Sequence, residues 1–105
     1  MIVFIKENSV IARAAAIILR SDSMAIVIGN TIYLWNTEKS KFLENNRWLR
    51  HELTHIAQFK RYGFTRFVFL YIFETIKKGY HKNRFEKEAR EKENIVEPLT
   101  DFYFS

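Results

Sequence analysis

The chain has 105 residues, 48% of them hydrophobic, with ten Phe, a formal charge of +5 and no Cys. That length fits one domain with a modest core. The lack of Cys excludes disulfide staples and thiolate metal sites, so any metal must be held by His, Asp or Glu. The positive charge is spread out, with Lys60, Arg61 and Arg66 near one bend and Lys77 and Lys78 near another. No basic run is interleaved with stacking aromatics. The charges read as a solvated surface, and a nucleic-acid partner is not expected.

The opening stretch, MIVFIKENSVIARAAAIILRSD, does not have the order of a signal peptide, because Lys6, Glu7 and Arg13 interrupt its apolar run. With no membrane-spanning run elsewhere, a cytoplasmic protein is expected. Val10 to Arg20 reads as a helix that Ser9 caps, with alanines through its middle. SMAIVIGNTIYLWN reads as a β-hairpin, two β-branched runs around the turn signal Gly29-Asn30. Its continuous hydrophobicity predicts burial on both faces, or an edge beside a groove.

Glu44 to Tyr62 reads as a helix stopped by Gly63. On it, Trp48, His51, Glu52, His55 and Phe59 fall within about 100° of one another. Leu49, Leu53 and Ile56 form an adjacent core stripe, while Arg47, Arg50, Thr54 and Gln58 are expected to face water. The histidines therefore sit at the border of the core. Phe64 to Lys78 reads as a second helix, closed by Lys77, Lys78 and Gly79, with a strand as the alternative its β-branched and aromatic content allows. Its apolar part, Phe67 to Phe73, is far shorter than the ~20 residues that span a bilayer. It reads first as a buried helix, and peripheral membrane contact is the alternative. Asn83 to about Glu93 reads as a charged third helix, and the tail IVEPLTDFYFS as a segment that packs back on the domain.

The stretch HELTH carries the chemistry. Two His four residues apart on one helix face can place both imidazoles on one ion. The Glu directly after the first His lies near that ion without binding it, placed to take a proton from a water that zinc has acidified. In a chain with three His and ten Glu, the string arises by chance on the order of one time in a hundred or less. Its position on a helix in phase with the core is the stronger argument. The bland reading is a pair of hydrogen-bonded histidines.

Two His ligands need a third, and GYHKNRFEKEAREKE supplies the candidates: Glu86 first, then Glu88 and His81. Ala89, one turn after Glu86, lets the helices approach closely. Glu88 points about 200° away from Glu86, so both cannot bind. Asn83 with Glu86 also has capping-box spacing, which would explain Glu86 without a metal. Tyr80 and His81 are candidates to contact the substrate or the transition state, and Tyr62 is a further option.

HELTHIAQFKRYG followed by NRFEKEAR resembles the gluzincins, metallopeptidases with an HExxH helix and a Glu on a second helix. FEKEA is similar to the Glu-x-x-Ala segment of HtpX-type proteases. IGNTIYLW before HELTHIAQ resembles small bacterial HExxH domains of unknown function, over roughly Ala25 to Glu91. The resemblance implies an α+β, minimal zincin-like domain over residues 1–105: an N-terminal helix, a β-hairpin, the HExxH helix and two further helices. It also implies Zn2+ on His51, His55 and Glu86, with Glu52 as general base and a peptide or protein substrate. Arg90 stands where HtpX-type enzymes have an Asp, so no carboxylate that orients a ligand is expected at that position. Three readings follow: a zinc peptidase, a zinc-containing structural or interaction domain, and a metal-free domain that meets membranes through Phe67 to Phe73.

Overall fold

The computed structural model describes residues 1–95, 99 and 101–105. It is an α+β fold: β1 (Ile2–Lys6), α1 (Val10–Leu19), β2 (Met24–Ile28), β3 (Thr31–Trp35), α2 (Lys39–Glu44), α3 (Asn46–Tyr62), α4 (Phe64–Lys78), α5 (Arg84–Lys92) and β4 (Tyr103–Phe104). The strands form one sheet in the order β2-β3-β1-β4. β2 and β3 are the expected antiparallel hairpin, and Gly29 makes its turn with φ 66°, as a turn with glycine first requires. β1 joins parallel to β3 on one side and to β4 on the other.

Two elements differ from the sequence expectations, while the tail behaves as expected. The chain opens on a strand rather than a helix: IVFIK alternates exposed and buried, with Val3 and Ile5 inward. The helix expected from Glu44 is two helices, because Asn45 leaves the helical region and caps α3 by accepting from the Trp48 N–H at 3.1 Å. The tail does return, with Leu99, Phe102 and Phe104 packed on the core and β4 beside β1. Val96, Glu97, Pro98 and Thr100, which belong to the same tail reading, lie outside the described residues.

Register places Val3, Ile5, Ala25, Val27, Ile32 and Leu34 on one face of the sheet, where they are buried in one cluster with Leu49, Leu53 and Ile56 of α3. α1 lies against β2 and β3 and buries only Ala12 and Ala16. Its Arg13 sits 5.1 Å over the ring of Trp35, which faces away from Leu34, so α1 covers the opposite face. Gly63 lets the chain reverse between α3 and α4. Its φ of 84° with ψ 155° is a conformation that strains any residue with a Cβ. The reversal lays α4 back along α3, with Phe59 and Phe67 edge to face at 4.6 Å.

Within α4 the apolar run divides. Phe67 is core, Val68, Leu70 and Tyr71 pack against the core, and Phe69, Ile72, Phe73 and Ile76 are exposed. The whole run Phe67 to Phe73 is therefore not one outward surface. No helix among the described residues is long and apolar enough to cross a membrane.

Candidate metal centre

The polar face of α3 meets α5, and the two helices bring His51, His55 and Glu86 together. One ligand atom from each lies within 4.8 Å of the others. His51 Nε2 is 3.0 Å from Glu86 Oε1, and His55 Nε2 is 3.2 Å from Glu86 Oε2. The capping-box alternative for Glu86 is not formed. Asn83 does cap α5, accepting from the Phe85 N–H at 2.8 Å, but its own N–H donates to Tyr80 O rather than to Glu86. Glu88 lies outside the cluster and accepts from Gln58 Nε2 at 2.7 Å. His81 is exposed and takes no part. Its carbonyl oxygen accepts from Arg90 and its ring lies edge to face on Tyr80, apart from the His51–His55–Glu86 group. Tyr62 is spent in packing, against Phe67 and Phe85.

Both imidazoles are held by their other nitrogen. Gln58 donates its amide nitrogen to Phe85 O at 3.1 Å and to Glu88, which turns its oxygen toward His55 Nδ1 at 2.8 Å. An amide oxygen can only accept, so His55 carries its proton on Nδ1. His51 Nδ1 donates to Glu93 Oε2 at 2.7 Å, and Arg47 anchors the other oxygen of Glu93 at 3.2 Å. Both Nε2 atoms are thereby aimed at Glu86. Fixing Nδ1–H so that Nε2 is free to coordinate is how proteins orient histidine ligands. The donor set, two imidazoles and a carboxylate without sulfur, is one that zinc takes.

Glu86 is also held from α4, directly by one bond and through two ties that fix the start of α5. The Tyr71 hydroxyl donates to its Oε2, reaching across from α4. Asn83, fully buried, donates to Tyr71 O at 3.1 Å and to Thr75 Oγ1 at 3.0 Å, clamping the start of α5 to α4. Glu74 accepts from the Arg84 N–H at 3.2 Å, a second tie between the same helices.

The electrostatics follow from burial among opposed charges. Burial opposes charge on Glu86, but the hydrogen bonds from His51, His55 and Tyr71 hold its carboxyl well below the usual carboxylate range. For His51, burial favours the neutral ring, yet the bond to Glu86, the charge of Glu52 and the bond to Glu93 outweigh it and push the pKa up to about 9. His55 is raised in the same way, with burial opposed chiefly by Glu86. Burial pushes Glu52 up to about 7, with His55 and His51 holding it from going higher. Burial and the charge of Glu86 raise both Tyr71 and Tyr80, keeping their hydroxyls protonated.

His51, Glu52, His55, Glu86 and Tyr80 open onto a cleft of about 590 Å3 between α1, β2 and α4. Residues from both faces of β2, Ala25 and Val27 as well as Ile26 and Ile28, line it. The cleft thus follows the outer edge of β2, and β2 is the terminal strand of the sheet.

Sequence reasoning missed Gln58, Glu93 and Tyr71. Gln58 was expected to face water and is buried instead, because α5 covers that side of α3. Glu93 had a legible signal: seven residues after Glu86, it returns to the same face of α5. It supplies the orienting carboxylate that was not expected at Arg90. Tyr71 had no local signal, since only the fold of α4 over α3 brings it to the site. Trp48, expected beside the histidines, packs edge to face on Phe42, and Tyr71 is the ring against His55.

Comparison of the chain with protein-family models, curated proteins and solved structures finds no match.

Proposed function

We propose that this protein is a metallohydrolase of the HExxH type, with zinc held by His51, His55 and Glu86. Within that class, the reading best supported is a peptidase that takes an extended peptide along the edge of β2. The observation that carries it is the coincidence of three features: a preoriented His–His–Glu donor set, a buried carboxyl adjoining it, and a cleft that runs from both along a free strand edge.

Bound zinc would supply a Lewis acid that makes water nucleophilic near neutral pH. Glu52, with its pKa pushed up to about 7, is poised to accept a proton from the attacking water and return it to the leaving amine nitrogen. Gln58 and Glu93 keep the imidazoles in one tautomer throughout. The edge of β2 offers backbone N–H and C=O groups with no strand on their outer side among the described residues, which suits alignment of a peptide as an added strand. Tyr80, protonated and lining the cleft, is the candidate to donate to the carbonyl oxygen as it gains charge. The apolar walls favour a substrate with apolar side chains beside the cleaved bond.

The competing reading, a zinc site that is only structural, draws on the depth of the cluster, since His55 and Glu86 are both buried. Two measurements separate the readings. Metal analysis of protein loaded with zinc and desalted is expected to give one zinc per chain, and a value well below one removes both. A mixed peptide library incubated with the zinc-loaded protein should be cleaved by wild type and left intact by Glu52→Gln, with zinc content unchanged. Equal background cleavage by the two would leave only the structural role.

A further inference from the structure

Two helices border the mouth of the cleft, and both turn hydrocarbon outward. On α1, Val10, Ala14, Ile17 and Ile18 form one stripe at helical spacing, with Ile17 67% and Ile18 78% exposed. On α4, Phe69, Ile72, Phe73 and Ile76 form another, with Phe69 74% and Ile76 81% exposed. Ile18 and Ile72 belong both to these stripes and to the lining of the cleft, so the two stripes are its opposite rims. Apolar surface this concentrated marks a contact rather than scattered surface residues.

The exposed charges carried by the two helices and the α1 cap are basic, with Glu7 and Asp22 lying beyond the ends of α1. Arg13 lies within α1 and Arg20 caps its end, while α4 carries Arg66, Lys77 and Lys78. Lys77 lies 5.9 Å over the Phe73 ring, at the border of the stripe itself. The one acidic residue within either helix is Glu74, which is buried and bound to the Arg84 N–H and to Lys78. A second copy set against this face would oppose cation to cation. An anionic lipid surface complements it, because acyl chains receive the stripes and headgroups meet the flanking Arg and Lys. Neither helix can cross a bilayer, so contact is confined to the interface.

We infer that the rims of the cleft, the outward faces of α1 and α4, seat the protein on an anionic membrane surface with the cleft opening toward the lipid. The docking does not rest on the metal or peptidase reading, and it is tested without either ion or peptide.

The experiment is co-sedimentation of the full chain with vesicles of pure phosphatidylcholine or of equimolar phosphatidylcholine and phosphatidylglycerol, at low and high salt. Wild type is expected to bind the anionic vesicles at least about tenfold more tightly than the neutral ones, and to be weakened by salt. The triple variant Ile17→Gln, Phe69→Gln, Ile76→Gln changes only exposed positions and should keep the wild-type circular dichroism while losing at least about tenfold in vesicle affinity. Arg66→Glu with Lys77→Glu, a second route independent of the apolar residues, should cost about fivefold per charge removed. Absence of wild-type binding to anionic vesicles would overturn the proposal, as would binding that the triple variant leaves intact. A concentration-dependent dimer in solution that the triple variant abolishes, without vesicle binding by the monomer, would assign the face to a second copy and equally overturn it.

Discussion

The two faces of α3 are built on opposite rules. One presents Leu49, Leu53 and Ile56 to the sheet, in a cluster specified by volume and hydrophobicity. The other presents His51, Glu52, His55 and Gln58 to α4 and α5, where every group needs a partner of the right polarity. Burying charged groups costs free energy unless each is matched, and hydrocarbon of similar volume often serves stability as well or better. The second face is therefore better understood as a site that stability tolerates than as a means of holding the fold. α4 and α5 meet this face through Tyr71, Glu86 and Glu93, while their Phe67 and Phe85 join the hydrophobic core.

The sharpest way to break that contrast is to substitute residues on each side. Glu86→Ala should reduce zinc affinity by more than the roughly 100-fold that an outer partner costs, while Glu88→Ala should leave it nearly unchanged, since Glu88 binds Gln58 and not the cluster. Leu53→Ala should do the opposite, lowering unfolding free energy by about 2–5 kcal/mol with little change in zinc affinity of the folded protein. Competition with a chromophoric zinc chelator and urea melts read the two quantities. If Glu88→Ala proves the more damaging to zinc binding, the ligand assignment is wrong.

A smaller effect sharpens the role of the outer partners. Gln58→Leu and Glu93→Gln each leave the three proposed ligands in place but alter what holds an imidazole by Nδ1. Each is expected to weaken zinc binding by about 10- to 100-fold. Wild-type affinity in both variants would show that the histidine orientation is set by packing alone.

The smallest effect is graded and concerns pH. In protein stripped of metal, His51 has a folded pKa near 9 against its ordinary 6.5, so its contribution is complete below 6.5 and lost as pH rises through 9. His55 and Glu52, both raised, act in the same direction. Glu86, lowered, contributes above its ordinary pKa and loses that contribution as pH falls through its folded value. The stripped protein should therefore melt several degrees lower at pH 9 than at pH 6.5. Zinc affinity should rise over the same window, because the ion competes with protons on the two Nε2 atoms. Calorimetric melts with and without zinc at several pH values check both. A melting temperature of the stripped protein that climbs from pH 6.5 to 9 would contradict the His51–Glu86–Glu93 network.

Turn and cap signals along the chain were enough to place the hairpin and the helices expected from Glu44 to Glu93, and periodicity placed the core stripe of α3, because these are local properties. HELTH was legible for the same reason, as i, i+4 spacing fixes which side chains share a face whatever the rest of the fold does. The sequence also offered Glu86, though with Glu88, His81 and a capping role as rivals. Tertiary structure set Glu86, rather than Glu88 or His81, against the two histidines, since that depends on which side of α5 meets α3. It alone brought in β1 and β4, whose partners are distant in the chain, and it alone turned Gln58 inward and Tyr71 onto Glu86. A polar group carries no periodic signature of its partner. Where its hydrogen bonds go is settled only when helices far apart in sequence are laid against each other.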